Sequence, residues 1–280
     1  MIRIGIVSCL ELPEPDVDAQ ITLDAFHSAG FRADAPGWDD PSVNWADYDL
    51  LLPRATWNYP EKPKEFKAWI DFAASQTTLL NPPDILHENI DKSYLFSLKK
   101  QGIPIVPTEK FEDTEFETYF KNWDVDRIVI KPSIGAGSYL THYFHSSELD
   151  TAVSLAQEIV EAGSNPLVQP FMSAVSQGGE RSLIWIDGQF THRIIKQPRF
   201  DGQNESVSAA SSPEDDEVEL ARKILAPIES QLLYARVDLI RQDNQLFLNE
   251  LELVEPSLFF QQYPAALNHL VAGVKRLINL

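Results

Sequence analysis

The first part of the chain alternates between short apolar segments and segments whose apolar residues recur at helical spacing. The apolar segments are residues 2–9, 47–59 and 77–83, and the helical patterns are residues 16–30 and 60–76. Strands connected through helices pair in parallel, because a parallel neighbour is reached only by a crossover connection. The sequence therefore predicts a small Rossmann-like parallel sheet over residues 1–85. No G-x-G-x-x-G segment occurs in it, so no dinucleotide site is predicted.

The rest of the chain mixes strands, hairpins and helices, which makes the whole an α/β (α+β) protein. Strands are predicted at 103–111, 127–132, 139–144 and 166–172, hairpins at 181–197 and 232–253, and helices at about 89–101, 113–123, 147–162, 212–227 and 261–280. Asp187-Gly188 is typical of a tight hairpin turn. Ser212, followed by Pro213 and Asp215, predicts a helix N-cap, and the polar residues 201–217 predict a mobile surface loop.

The charge balance limits the possible partners. The chain has 23 basic and 42 acidic residues, a formal charge of −19, so its surface repels nucleic acid and anionic lipid. Cys9 is the single cysteine, which excludes an internal disulfide and a clustered-cysteine zinc site. No signal peptide or membrane-spanning run is recognisable, and a cytoplasmic protein is expected.

Acidic residues concentrate on the last predicted hairpin. Glu250 and Glu252 are two residues apart and so share one face of a strand. A strict two-residue turn would place Asp238 on the opposite face, whereas a three-residue turn or one bulge would pair it with Glu250. In the second case Arg236 lies opposite Glu252, and the three carboxylates could hold Mg²⁺. The alternative is a solvent-exposed acidic face bound by Arg236.

A second candidate site is the segment "VIKPSIGAGS". Lys131 ends an apolar strand, and Gly135 and Gly137 in the following loop allow a ligand to approach the backbone closely. A lysine beside such a loop can bind phosphate. The order of residues is not that of a Walker A loop, and an ordinary glycine-rich turn is the alternative. Lys92, in "NIDKSYLF", is a further candidate cation, with a solvated helix lysine as its alternative.

Several motifs in their order along the chain resemble the ATP-grasp superfamily, which includes glutathione synthetase and D-alanine–D-alanine ligase. The segments "RATWNY", "LLNPPDILHENIDKSYL", "VIKPSIGAGS", "ERSLIWIDGQFTHRIIKQPR" and "YARVDLIR" look closest to the branch containing the D-cycloserine ligase. The resemblance implies an ATP-grasp domain over residues 86–280, with a lid at about 105–170 and a catalytic part at about 171–280. Residues 1–85 fit the domain that precedes it in such enzymes.

The resemblance also implies how the nucleotide is bound. Lys92 and Lys131 would hold the α- and β-phosphates, and a loop over residues 133–138 would close over the γ-phosphate. The strand "VQPFM" would offer backbone groups to adenine, and Glu180 would contact the ribose hydroxyls. The implied nucleotide-binding set is Lys92, Lys131, Ser133, Gly135, Gly137, Ser138, Gln169, Pro170, Phe171, Met172 and Glu180.

The implied metal ligands are Asp238, Glu250 and Glu252, holding two Mg²⁺ ions that Mn²⁺ is expected to be able to replace. The usual last ligand of the family is Asn in an E-x-N pattern, and this chain has Glu252 there, which leaves the exact ligand set open. The implied catalytic groups are Arg236, which would stabilise the acyl phosphate and tetrahedral intermediate, together with Lys131 and Lys196.

The implied reaction is an ATP-dependent ligation of a small carboxylate to an amine or hydroxylamine-type nucleophile through an acyl phosphate, releasing ADP and phosphate. Intramolecular ring closure is one version. The rival readings are a small-molecule kinase and a nucleotide-binding protein without turnover. Arg54, which follows a parallel strand, is a candidate for binding a substrate carboxylate, with a loop salt bridge as its alternative. Ser257 is a candidate contact for the acceptor substrate, and dimers are common among relatives.

Overall fold

The computed structural model describes residues 1–197 and 206–278. Its first sheet is parallel, as predicted, with strand order β2-β1-β3-β4. The strands are β1 (Arg3–Ser8), β2 (Arg32–Asp34), β3 (Leu50–Ala55) and β4 (Thr78–Leu79), and α1 (Ala19–Ser28) and α2 (Pro63–Gln76) connect them. The β2 strand was not predicted, because three residues are too few to show a periodic pattern.

A short helical region leads to the second sheet. The predicted helix at 89–101 is wrong in its extent: the chain forms α3 (Pro83–Asn89) and α4 (Tyr94–Lys100), separated by residues 90–93. The second sheet is antiparallel, in the order β5-β8-β6-β7. Its elements are β5 (Glu109–Lys110), α5 (Phe116–Trp123), β6 (Arg127–Pro132), β7 (His142–His145), α6 (Leu149–Glu161) and β8 (Pro166–Pro170). The two helices cover one face through a core that includes Phe116, Ile128 and Ile159.

The third sheet is antiparallel and carries the predicted acidic hairpin, in the order β11-β10-β9-β12-β13. Its elements are α7 (Ser173–Gly178), β9 (Glu180–Ile186), β10 (Gln189–Gln197), β11 (Ser206–Val207), α8 (Asp215–Leu225), β12 (Tyr234–Gln242), β13 (Gln245–Glu252) and α9 (Ala266–Leu277). The predicted Asp187-Gly188 turn joins β9 to β10, and both residues have a positive φ. Gly188, at φ 91°, occupies the left-handed region that glycine adopts at little cost.

Two predictions around α8 need correction. The N-cap is Glu214 rather than Ser212: the Glu214 side chain accepts from the backbone of Glu217, whose own side chain accepts from the Glu214 N–H. This capping box satisfies two N–H groups that a helix terminus leaves open. The predicted loop over 201–217 lies partly outside the described residues, and its described part includes β11, which pairs with β10.

The first and third sheets share one hydrophobic core. Ile4 and Leu52 of the first sheet pack with Ile184 and Tyr234 of the third, and Phe260 completes the cluster. Apolar side chains removed from water in this way hold the two sheets together. The predicted domain boundaries remain a prediction. Within the described ranges, no helix has the length and apolar character needed to cross a membrane.

Candidate active site

The hairpin of β12 and β13 has the register that gathers the predicted acids. Asp243 and Asn244 form its turn with φ values of 51° and 62°, and a bulge lies next to Asp238. The bulge pairs Asp238 with Glu250 and Arg236 with Glu252. Directly paired residues of antiparallel strands have their side chains on the same face. Of the predicted alternatives, the bulge is therefore the correct one.

Arg236 is the central cation of this face. Its Nε donates to Asp238 Oδ1 at 3.0 Å, and its Nη2 donates to Asp238 Oδ2 at 2.9 Å and also to Glu252. Its Nη1 donates to the backbone oxygen of Ser257 at 3.3 Å. The guanidinium thus spans both strands of the hairpin and the segment that follows it. Such charge-assisted, multidentate contacts hold an arginine in one orientation.

Lys196 on β10 contacts Asp238 and a further carboxylate, that of Glu180 on β9. Its Nζ lies 2.7 Å from Glu180 Oε1 and 3.3 Å from Asp238 Oδ2. Burial would lower the pKa of Lys196, but Asp238 and Glu180 outweigh it and raise the pKa, so the amine stays charged. The bulge residue Asn249 donates its side-chain amide to Glu180. Lys196 and Asn249 therefore hold Glu180 at the edge of the hairpin.

The lysines of the other candidate site line the same cleft, Lys131 from β6 of the second sheet and Lys92 from the segment between α3 and α4. Lys131, at the end of β6, places its Nζ 3.0 Å from Glu250 Oε1. Lys92 donates to the backbone oxygen of Gly135 at 2.6 Å and so ties down the predicted phosphate loop. Gly137 in that loop has a φ of 58°. Both predicted lysines are buried, which rules out the alternative of a solvated helix lysine for Lys92.

The carboxylates differ in how well these cations compensate them. Burial would raise the pKa of Glu250, but Lys92 and Lys131 outweigh it and lower the pKa to about 2. Burial, reinforced by Asp238 and Glu250, raises the pKa of Glu252 to about 7 despite Arg236. Burial and Glu252 raise the pKa of Glu255 to about 8. Burial therefore favours the protonated forms of Glu252 and Glu255 near neutral pH, and a cation bound beside them would favour their ionised forms.

These groups line a cleft of about 560 Å³ between the second and third sheets. A volume of this size is typical of small-molecule sites. The predicted residues that line it are Lys92, Lys131, Gly135, Gly137, Ser138, Gln169, Pro170, Phe171, Met172, Glu180, Lys196, Arg236, Glu250, Glu252 and Ser257.

Three predicted residues do not line the cleft. Ser133 turns its hydroxyl to Asp91, at 3.1 Å from Oδ2. Asp238 lies beneath the surface, fully buried, with its oxygens bound to Arg236 and Lys196. Arg54 is 1% exposed and binds the backbone oxygen of Pro256, so it is not placed to meet a substrate carboxylate from the cleft.

One end of the cleft is formed by the predicted adenine strand. Gln169 on β8 donates its side-chain amide to Thr108 at 2.8 Å, so that amide supports the strand. The Phe171 ring lies 3.9 Å from the Arg127 guanidinium carbon. Val106, Met172 and Ile240 form an apolar cluster at this end. This apolar surface can receive an aromatic base.

The other end contains residues that were not predicted as site residues. Tyr59 and Glu255 line it and are hydrogen-bonded to each other through their side chains. Trp57 lines the cleft and donates its indole N–H to the Glu255 backbone oxygen at 3.1 Å. Asn249 was not predicted as a site residue, because the direction of its side chain depends on the bulge. No local signal in the sequence marks Tyr59 as different from a core tyrosine.

The donor set at the hairpin fits a hard divalent cation in chemistry, because carboxylate oxygens are the groups that Mg²⁺ prefers. A cation beside Glu252 would also favour the ionised form of this carboxyl, whose pKa burial raises. In residues 1–197 and 206–278, no group of three or more His, Cys, Asp or Glu side chains is placed to hold a metal ion. The three-ligand set of Asp238, Glu250 and Glu252 therefore stays a prediction.

Comparison with known proteins identifies relatives of the whole chain. Residues 4–81 match the family described as "D-cycloserine synthetase DcsG, N-terminal domain". The cycloserine biosynthesis protein DcsG of Streptomyces lavendulae is 26% identical over 262 residues, covering 87% of this chain and 88% of the relative.

Solved structures give the same assignment of the fold. The crystal structure of D-cycloserine synthetase DcsG matches with a TM-score of 0.89 at 23% identity, covering 98% of this chain and 99% of that chain. The ATP-grasp ligase PsnB, solved with a phosphomimetic variant of its minimal precursor, Mg and ADP, matches with a TM-score of 0.64 at 14% identity, with 98% and 99% coverage. These matches confirm the predicted ATP-grasp fold, and the sequence similarity confirms the predicted relation to the DcsG branch.

Proposed function

We propose that this chain, an ATP-grasp ligase related to the DcsG branch, joins a small carboxylate to an amine-type nucleophile with Mg²⁺ and ATP through an acyl phosphate. A carboxylate is a poor electrophile, because its negative charge repels a nucleophile. Transfer of the terminal phosphoryl group to the carboxylate oxygen gives an acyl phosphate. The amine then attacks its carbonyl carbon, phosphate leaves, and an amide-type bond remains.

The observation that carries the proposal is the arrangement of charge in the cleft. Lys131 and Arg236 pair with Glu250 and Glu252 of one hairpin. Lys92, from the segment between α3 and α4, lines the same cleft and lowers the pKa of Glu250. A cleft lined by cations alone could bind any anion, and a cleft lined by carboxylates alone could bind any cation. Both together, facing one cleft, suit a polyphosphate accompanied by divalent metal ions.

Each group has a defined part in this proposal. Lys92 and Lys131 bind phosphate oxygens, and the backbone of residues 133–138 covers the terminal phosphate. Arg236 faces the transferred phosphoryl group and offsets the charge that develops on it. Glu250 and Glu252 would hold Mg²⁺, which would supply Lewis-acid neutralisation of the phosphate charge. No side chain acts as a covalent nucleophile; positioning and charge neutralisation supply the acceleration.

Asp238 and Lys196 support this arrangement from beneath. Asp238 fixes the guanidinium of Arg236, and Lys196 joins Asp238 to Glu180. Glu180 accepts from the ribose hydroxyls, and residues 170–172 border the adenine. Ring closure within a single substrate is the intramolecular version of the same chemistry, since only the tether between carboxylate and nucleophile differs.

The test is a phosphate-release screen with ATP, Mg²⁺ and paired pools of small carboxylates and amines, followed by mass spectrometry of each hit. We expect phosphate release that needs both substrate pools, or one bifunctional substrate, and a product that has lost water. The test variant is Arg236→Lys, which is expected to lower turnover at least about tenfold. Its control is Lys223→Met on the exposed face of α8, whose turnover is expected to equal that of the unsubstituted chain. A phosphorylated product without ligation, or release insensitive to Arg236→Lys, would contradict the proposal.

A further inference from the structure

Arg54 is a buried arginine whose partners come from both ends of the chain. It lies on β3, is 1% exposed, and donates from Nη1 to the backbone oxygen of Pro256, 202 residues away. Its Nη2 lies 3.9 Å from Asp16 and 3.8 Å from Asp18. The guanidinium therefore connects the first sheet to the segment that follows the hairpin of β12 and β13.

Three consecutive backbone oxygens of that segment, residues 255–257, are held by side chains from different elements. Trp57 donates to Glu255 O at 3.1 Å, Arg54 donates to Pro256 O, and Arg236 donates to Ser257 O at 3.3 Å. The side chains of Glu255 and Ser257 line the cleft. The segment is thus fixed on one side by the first sheet and on the other by the arginine at the centre of the site.

Asp18 extends the same attachment by a few residues. Its Oδ2 accepts from Phe260 N at 3.0 Å and its Oδ1 from Gln261 N at 2.9 Å. The Phe260 ring lies 5.7 Å from the Arg54 guanidinium carbon. Arg54 and Asp18 therefore form one unit that grips residues 256–261.

Stability alone does not account well for this arginine. Its Nε is buried and has no hydrogen-bond partner in the described part of the chain, and its two carboxylates lie beyond hydrogen-bond distance. Removing a guanidinium from water is costly, and an apolar side chain of similar volume often serves a fold equally well. What an apolar side chain could not do is donate to Pro256 O.

We propose that Arg54 is a positioning residue for Arg236. By holding Pro256 O, it fixes the neighbouring Ser257 O, which in turn accepts from Arg236 Nη1 and sets the guanidinium toward the transferred phosphoryl group. This inference rests on the proposed function. It replaces the predicted role of Arg54 as a ligand for substrate carboxylate, and it gives the first sheet an indirect part in the chemistry, through the position of Arg236.

The two ends of the cleft should depend differently on Arg54. The adenine end is bordered by β8 of the second sheet and by the apolar cluster of Val106, Met172 and Ile240, and the contacts of Arg54 lie elsewhere. Loss of Arg54 should therefore leave ground-state nucleotide binding unchanged. It should weaken the binding of a transition-state mimic that requires Arg236 in place.

The experiment compares ADP with ADP plus aluminium fluoride, both with Mg²⁺, by calorimetry on the full chain. Aluminium fluoride beside ADP mimics a phosphoryl group in transfer. The variants are Arg54→Met, which keeps length without charge, Arg54→Lys, and Asp18→Asn in case Arg54→Met fails to fold. Arg3→Met is the matched control, since Arg3 is in the same sheet and pairs with Asp34 instead.

We expect the Kd of ADP to stay within about twofold in every variant, and the Kd of the mimic to rise about tenfold or more in Arg54→Met. Arg54→Lys and Asp18→Asn should give smaller rises, and Arg3→Met none. Equal weakening of both ligands would mean a merely structural role and would overturn the inference, as would an unchanged Kd for the mimic in folded Arg54→Met and Asp18→Asn. If aluminium fluoride fails to tighten ADP binding in the unsubstituted chain, the proposed function itself fails, and the inference falls with it.

Discussion

At the residue scale, the pair of Arg236 and Glu252 shows how burial and ion pairing act in opposite directions on the pKa of one carboxyl. Arg236 binds Asp238 and Glu252 together, yet burial still raises the pKa of Glu252 to about 7. The attraction of Arg236 therefore does not outweigh the burial of Glu252, which favours the protonated carboxyl near neutral pH. A cation bound beside Glu252 would favour its ionised form.

His192 gives a residue-scale prediction for stability against pH. It is 1% exposed on β10, and burial lowers its pKa to about 4, although Asp18 and the backbone near Leu258 act the other way. The ordinary value is about 6.5, so the unfolded chain binds a proton between pH 6.5 and 4 that the folded chain does not. The free energy of unfolding should therefore fall as pH is lowered through this window, by about 3 kcal/mol in total.

The check is urea unfolding of the unsubstituted chain and of His192→Phe at several pH values from 7.5 to 4.5. His192→Phe keeps a ring beside Tyr263, 5.2 Å from it in the present structure, and should flatten the pH profile in that window. His145→Phe, at an exposed position, should leave the profile unchanged. Parallel profiles for His192→Phe and the unsubstituted chain would contradict the prediction.

Arg54 also marks the limit of residue-scale prediction from sequence. Its position after a parallel strand indicates a ligand contact, because ligands bind at that edge of such sheets. The structure gives it a backbone partner in a segment 202 residues later, which no local pattern can reveal. By contrast, Lys92 and Lys131 could be predicted, because each belongs to a motif whose order along the chain is itself informative.

At the element scale, the bulge in the last hairpin decides which face the acids occupy. The Asp243-Asn244 turn is compatible with more than one register, and one residue of slip moves a whole set of side chains to the other face. The bulge residue Asn249 donates to Glu180 on β9, a contact made only once the sheet has assembled. The strand was therefore predictable from its pattern, whereas its register depended on tertiary contacts.

The attachment of α8 to the third sheet gives an element-scale prediction. Glu217 on α8 is fully buried, and its carboxylate lies 2.9 Å from Arg193 Nη1 and 2.9 Å from Arg181 Nε. It also accepts from Glu214 N in the capping box. Glu217→Ala would leave the two arginines without their buried partner, at a cost of about 3–5 kcal/mol in the free energy of unfolding.

Urea unfolding measures this cost directly. The matched control is Glu219→Ala on the same helix, where an exposed pair with Lys223 contributes at most about 1 kcal/mol. We expect a large loss for Glu217→Ala and little change for Glu219→Ala. A loss below about 1 kcal/mol for Glu217→Ala would mean that water or neighbouring acids replace its carboxylate.

At the scale of the whole molecule, the site is assembled from all three sheets. The third sheet supplies Arg236 and the acids, and the second supplies Lys131 and the strand that we propose borders adenine. The first part of the chain holds residues 256–261 through Arg54 and Asp18. The shared core of the first and third sheets keeps these parts in register. The order of strands and helices was largely predictable, because long periodic segments carry their own signal. The convergence of three sheets on one cleft was indicated only by the resemblance to a family.

The most direct test of the central claim is calorimetric titration with ATP in the presence of Mg²⁺. The account predicts measurable ATP binding by the unsubstituted chain, weakened about tenfold or more in Lys131→Met and in Glu250→Gln, because each change removes one half of a buried pair that faces the phosphates. Lys223→Met should bind as the unsubstituted chain does. Absence of ATP binding by the unsubstituted chain, or unchanged affinity in both Lys131→Met and Glu250→Gln, would contradict the account.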